Sequence, residues 1–207
     1  MKNVLLIGDS MRMLYQQRVA ELLGDDVHVY APEENCRFTK FALWGMFFWM
    51  MSWGNPKIDV VHWNTGIWDL HRCTADGKVF TPLDEYLQCN ERLAIQMESY
   101  TKNLIWATMT PGGRQLDEQT KTNYLLTQKG EPQFFLCDYT DVWNADIKRY
   151  NEACAKMLSA RGVKINDLYS VIAADPDRYL AADGIHASLE GIEALAVQVA
   201  DNIRSML

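Results

Sequence analysis

The chain opens with an unbroken apolar run, Val4-Leu5-Leu6-Ile7, behind a polar start at Lys2 and Asn3. A short run of this kind, closed by Gly8 and Asp9, predicts a strand from Lys2 to Ile7 that is buried on both faces. The period then changes. Apolar residues at 11, 14, 15, 19, 22 and 23 share one helical face, and Gly24 stops that helix. Val27 to Tyr30 reads as a second strand, ended by Pro32. Thr39 to Trp53 reads as an apolar helix closed by Gly54 and Pro56. Ile58 to His62 is a third strand, Pro82 to Tyr100 an amphipathic helix, and Asn103 to Thr108 a fourth strand. Asp146 to Arg161 is a helix stopped by Gly162, and Val163 to Asn166 a short fifth strand. Ser188 caps a final helix to Met206, on which Leu189, Ile192, Leu195, Ala196, Val199 and Ile203 share a face.

Strand and helix alternate throughout, with no repeat and no linker composition. This predicts one domain over residues 1–207, a three-layer α/β/α unit around a parallel sheet of about five strands. One stretch resists the pattern. Residues 112–143 carry Gly112-Gly113, Gly130, Pro132 and little periodicity, and read as a surface insertion or a flap. A hairpin around Lys129-Gly130, between Tyr124-Leu125-Leu126 and Phe134-Phe135-Leu136, is one form it can take.

Composition narrows the function classes. The chain has 207 residues, 48% hydrophobic and 23% charged, with a net charge of −7. That is a globular profile, and the negative balance without a Lys/Arg-rich run argues against nucleic acid as a partner. The N-terminal apolar run is too short for a signal-peptide core, and no segment approaches the ~20 apolar residues of a membrane span. A complete chain of this kind is expected in the cytoplasm, without membrane insertion. Five cysteines, widely spaced and without C-x-x-C, argue against a disulfide framework or a zinc site.

In a parallel α/β sheet, ligands bind at the C-terminal ends of the strands. The residues placed there are chemical. Gly8-Asp9-Ser10 follows strand one, Trp63-Asn64-Thr65-Gly66 follows strand three, and Asp183-Gly184-Ile185-His186 precedes the last helix. Taken singly, each is most often a cap or a turn. Together they supply complementary roles in acyl transfer. Ser10 is a nucleophile if a base removes its proton, and His186 is that base. Asp183 orients the imidazole, and the Ser10 N–H with the Asn64 amide faces the oxyanion. Asp9 reads as an anchor of the turn through its backbone hydrogen bonds.

Gly8-Asp9-Ser10 with Asp183-x-x-His186 resembles the SGNH hydrolase superfamily, the GDSL-type esterases and lipases, from residue 3 to the final helix. The resemblance implies a flavodoxin-like sheet and serine-ester hydrolysis without a metal or other cofactor. It also implies Ser10 as nucleophile, His186 as base, Asp183 as orienting acid and Asn64 in the oxyanion hole. The chain departs from the pattern in its second block, where the family has a glycine and this sequence reads Glu34-Asn35-Cys36-Arg37-Phe38. Cys36 is expected to give the missing N–H, with Asn35 as the alternative. In the third block only Asn64 is kept. The Gly-x-Ser-x-Gly elbow of the α/β-hydrolases is missing, as is the phosphate loop of a flavin or nucleotide binder. A non-catalytic binding protein on the same fold stays open, as do thioesterase and acyltransferase activities.

The expected substrate is a small acyl ester, with an acetylated carbohydrate as one form. His62, Trp63 and Trp68 flank Asn64 and are expected to line its cleft, and Arg37 to meet a carboxylate or phosphate. Five of the seven tryptophans fall between Trp44 and Trp68. Trp44, Trp49 and Trp53, at near-helical spacing, read as core or as a subunit contact in a homo-oligomer.

Overall fold

A computed structural model describes residues 1–72, 76–112, 127–128, 131–132 and 140–207. Five parallel strands form the main sheet: β1 (Lys2–Gly8), β2 (Val27–Tyr30), β3 (Val60–Asn64), β4 (Leu104–Ala107) and β7 (Lys164–Asn166). Their order is β2-β1-β3-β4-β7. Register pairs Ile7 with Trp63 and Gly8 with Asn64, so the strand ends that carry Ser10 and Asn64 lie side by side. A separate two-residue antiparallel ladder joins β5 (Thr127–Gln128) and β6 (Glu131–Pro132), bracketing the predicted turn. Its expected flanks, Tyr124 to Leu126 and Phe134 to Leu136, lie outside the described residues, as does most of the 112–143 insertion.

The sheet splits the core in two because side chains alternate along each strand. Leu5 and Ile7 of β1, Val61 and Trp63 of β3, and Leu104 and Trp106 of β4 face α2 (Thr39–Ser52), α3 (Leu83–Glu98) and α4 (Thr140–Ala160). Val4, Leu6, Val60, Ile105 and Ala107 face α1 (Ser10–Leu23) and α7 (Leu189–Arg204) on the other side. Arg18 of α1 forks onto both carboxylate oxygens of Glu193 of α7 at 2.7 and 3.0 Å, joining the two helices at the surface.

Two short helices were not anticipated. α5 (Leu168–Ala173) and α6 (Pro176–Tyr179) lie between β7 and the Asp183 turn. Each is set by a cap rather than by a period. The Asp167 carboxylate accepts from the Ser170 N–H, and that of Asp175 from the Arg178 N–H, with Pro176 opening α6. Helix α4 begins at Thr140, earlier than its predicted start, and β3 begins at Val60. Among the described residues no helix is long and apolar enough to cross a membrane.

Candidate active site

The turn that carries Ser10 is built by contact between strands. A Cβ on Gly8 would fall 2.2 Å from Asn64 Oδ1 and 2.6 Å from the Arg12 Cβ, so only glycine fits. Asp9 is the N-cap of α1, and its Oδ1 accepts the Met11 N–H at 3.0 Å. The predicted anchoring role matches this bond. Ser10 is then the first helical residue, and its N–H is one of those a helix leaves without an internal acceptor.

Facing it is the turn before α7. The Asp183 Oδ1 accepts the N–H groups of Ile185 and His186, each at 2.9 Å, which folds the turn. Its Oδ2 lies 2.7 Å from His186 Nδ1, and His186 Nε2 lies 2.9 Å from Ser10 Oγ. An ionised carboxylate only accepts, so the Nδ1 carries the proton and the Nε2 is left to receive that of Ser10. Partial burial pushes the Asp183 pKa up, but the hydrogen bonds from His186 and Ile185 outweigh it and hold the carboxyl well below its usual range. The hydrogen bond to Asp183 raises the His186 pKa against the opposing effect of its burial. Gly112, after β4, comes close to this turn: a Cβ built on it would lie 3.7 Å from the Gly184 carbonyl oxygen. Asn144 of α4 brackets Gly112 through its N–H and its carbonyl.

Asn64 ends β3 almost wholly buried. Its Oδ1 accepts the Tyr15 hydroxyl at 3.1 Å, which fixes the amide, and its Nδ2 donates to no described residue. The second expected donor is a correction. The Cys36 N–H is spent on the Gly8 carbonyl at 3.1 Å, so it does not face an oxyanion. The next N–H, of Arg37, is spent on the Asn35 Oδ1 at 2.7 Å. Arg37 takes up a left-handed backbone, φ 52°, within this loop.

Two expected cleft residues are also corrected. His62 and Trp63 have no exposed surface, because β3 is a central strand covered on both faces. Trp63 Nε1 donates to Asn90 Oδ1 at 3.2 Å, and His62 Nε2 meets the Asn166 amide at 3.1 Å. Burial holds the His62 pKa down at about 3. Trp68 and Arg37 do reach the surface. Trp68 is half-buried, its ring 5.3 Å from that of His71, and the exposed Arg37 guanidinium lies 4.9 Å over the Phe41 ring.

Arg12 went unread in the sequence. It is fully buried in α1, and its guanidinium donates to the carbonyls of Gly8, Pro32 (2.8 Å) and Glu34 (2.7 Å) and to Gln16. It thereby ties the turn that carries Ser10 to the loop before Cys36. Asp9 beside it is buried, which lifts its pKa to about 6 even though the Met11 N–H and the Arg12 charge pull it down. The only sequence signal was an arginine two residues after Ser10.

A parallel α/β sheet with hydrogen-bonded Ser10, His186 and Asp183 at its C-terminal edge defines a class of fold and site. No family model matches the chain, and no curated protein matches it. Solved structures match along its whole length. An aryl esterase of M. smegmatis has 16% identity and a TM-score of 0.73, with 100% of both chains covered. A carbohydrate acetylesterase family member from Sinorhizobium meliloti has 15% identity and a TM-score of 0.72, covering 100% of this chain and 99% of that one. A GDSL-like lipase from Bacteroides thetaiotaomicron has 13% identity and a TM-score of 0.70, covering 100% and 89%. The chain has the SGNH hydrolase fold that its sequence motifs resemble.

Proposed function

We propose that this protein is a serine esterase acting on a small acyl ester. The observation that carries the reading is the unbroken chain Ser10 Oγ, His186 Nε2, His186 Nδ1, Asp183 Oδ2, with links of 2.9 and 2.7 Å. His186 takes the Ser10 proton as Oγ attacks the ester carbonyl carbon. The oxyanion that forms faces the Ser10 N–H and the Asn64 Nδ2. The C–O bond to the alcohol breaks, and His186 returns the proton to the departing oxygen. Water repeats the sequence on the acyl-enzyme and frees the acid and Ser10. Thioester cleavage or acyl transfer follows the same steps with another leaving group or acceptor.

The half-buried Trp68, four residues after Asn64, would offer an aromatic face to substrate, and the exposed Arg37 a cation. These suit a polar alcohol such as a sugar, and fold neighbours carry the names carbohydrate acetylesterase and acetyl xylan esterase. An acetylated carbohydrate is therefore the favoured substrate class. The spent Cys36 N–H favours a second reading, a ligand-binding relative with too few oxyanion donors for turnover.

One experiment separates the two. The purified chain should hydrolyse p-nitrophenyl acetate, and a fluorophosphonate should label Ser10. Ser10→Ala and His186→Ala should each lose roughly 10³-fold or more of kcat/KM with melting temperatures unchanged. Folded protein that neither labels nor turns over the ester belongs to the second reading.

A further inference from the structure

Helix α2 places its inward face, Ala42, Gly45, Met46, Trp49 and Met50, against the core. Its outward face is as apolar. Trp44 is 61% exposed, Phe47 58%, Met51 52% and Phe48 44%. The rings touch in series, with centroids 5.8 Å apart for Phe41 and Trp44, 4.7 Å for Trp44 and Phe48, and 5.4 Å for Phe47 and Phe48. Lys40, the single charged residue of α2, pairs with Glu85 of α3 in the first turn. A contiguous aromatic face of this kind is costly to leave in water, and monomers rarely carry one beyond a few hundred Å².

We propose that this face is a homodimer interface, with α2 packed on α2 of a second copy across a two-fold axis. Three observations select a second copy. The first is charge. A two-fold contact sets a patch against itself, so every charge on it meets its like. The chain carries −7 overall, yet the four exposed side chains of this face carry none, and the cations at its first turn are engaged, Lys40 with Glu85 and Arg37 over the Phe41 ring. The second is area. Large side chains of this type present ~200 Å² each, so four at about half exposure offer roughly 400 Å² per copy. The half-buried rims at Phe41, Leu43 and Trp53 bring the pair to the ~1,000 Å² that a stable interface needs. The third is position. α2 starts at the catalytic edge, where Thr39 Oγ1 meets Thr65 Oγ1 at 3.0 Å. It then descends towards the strand starts, where the Asp59 N–H meets the Asn3 carbonyl. The aromatic face therefore runs down the flank and leaves the catalytic edge open. A lipid-docking helix would instead carry Lys and Arg along the length of its polar edge; within α2 the one cation is Lys40, in the first turn, and Arg37, just before the helix, lies over Phe41.

Sedimentation velocity on the whole chain, from ~1 to ~100 μM, tests the assignment without reference to the esterase reading. The expected species is a dimer of 2 × 23.8 = 47.6 kDa, and added salt should tighten it because the contact is apolar and each copy is anionic. Trp44→Glu with Phe48→Glu should weaken dimerisation by ~30-fold or more while leaving far-UV dichroism and turnover per chain unchanged. Leu189→Lys, at another exposed apolar position, should leave the dimer intact. A wild-type monomer at every concentration overturns the proposal. So does a dimer that the double variant leaves unchanged, or a monomer that co-sediments with phosphatidylcholine vesicles.

Discussion

A guanidinium with no exposed surface must find acceptors for its whole set of N–H groups. Arg12 finds them in three backbone carbonyls and Gln16, and two of those carbonyls belong to the loop that leads to Cys36. The bonds leave its position dictated by residues some twenty places away, which no local pattern exposes; in sequence, an arginine reads as surface. The same long-range bonding hid the fate of Cys36, whose N–H goes to Gly8. In the proposed reaction Arg12 would act only through Gly8 and the 32–36 loop, as a positioning residue. Arg12→Met should leave those carbonyls unpaired and the buried Asp9 uncompensated, destabilising the fold by about 3–5 kcal/mol. It should also lower kcat more than it changes KM, because the turn holding Ser10 loosens. Arg12→Lys, which keeps the charge and fewer donors, should recover part of both. Melting curves alongside steady-state kinetics check this. A variant that melts early yet keeps full kcat confines Arg12 to stability.

Among the elements, those with a sustained period were the legible ones. Every strand of the main sheet and the long helices stood out, because a buried parallel strand is a continuous apolar run and an amphipathic helix repeats every 3.6 residues. Ser10, Asn64, Asp183 and His186 stood out for a related reason: the fold puts polar residues at strand ends where chemistry is done. The α5 and α6 helices are too short to show a period and depend on the Asp167 and Asp175 caps. Strand β3 marks another limit. Polar residues in a strand read as facing solvent or a cleft, but β3 has helices on both sides, so His62 and Trp63 are both interior and only Asn64, at the end, reaches the site edge. The consequence for Trp63 is a reversal. Trp63→Ala should cost about 3–5 kcal/mol of stability through lost burial and the cavity left behind. It should also orphan the Asn90 Oδ1. Urea unfolding measures the loss, and the Ser10 labelling rate of the folded fraction should stay within about threefold of wild type. A stable variant with altered ester selectivity would return Trp63 to the cleft.

For the whole molecule, catalysis and folding should fail at different pH. The proposed reaction needs neutral His186, whose pKa is raised above its ordinary 6.5 by the hydrogen bond to Asp183. Turnover should therefore fall on an acid limb centred above 6.5. Folding responds in the opposite sense over the same range. A raised histidine pKa means the folded state holds that proton more tightly, so the His186 contribution to stability is complete below 6.5 and is lost as pH rises through the folded value. Asp9 and Asp69, both raised by burial to about 6, bind protons in the folded state that the unfolded chain gives up between 3.8 and 6. Their contribution improves as pH falls through that window. His62 and His71 oppose them: held at about 3 and about 4 by burial, they stay neutral while the unfolded chain protonates below 6.5. Asp183 is depressed, so its stabilisation persists down to 3.8 and is lost only below it. The opposing slopes predict a broad plateau of melting temperature from about pH 7 to 4, and a steep fall below, where His62 and Asp183 act together. At pH 5 the protein should be folded and catalytically silent, with activity restored on return to pH 8. Asp183→Asn removes the hydrogen bond that raises the His186 pKa, so the acid limb should move to lower pH as the maximal rate drops. Turnover and melting temperature measured across the same buffers decide the matter: an activity loss that tracks unfolding, or an acid limb unmoved in Asp183→Asn, would mean that the Asp183–His186 pair does not set the working pH.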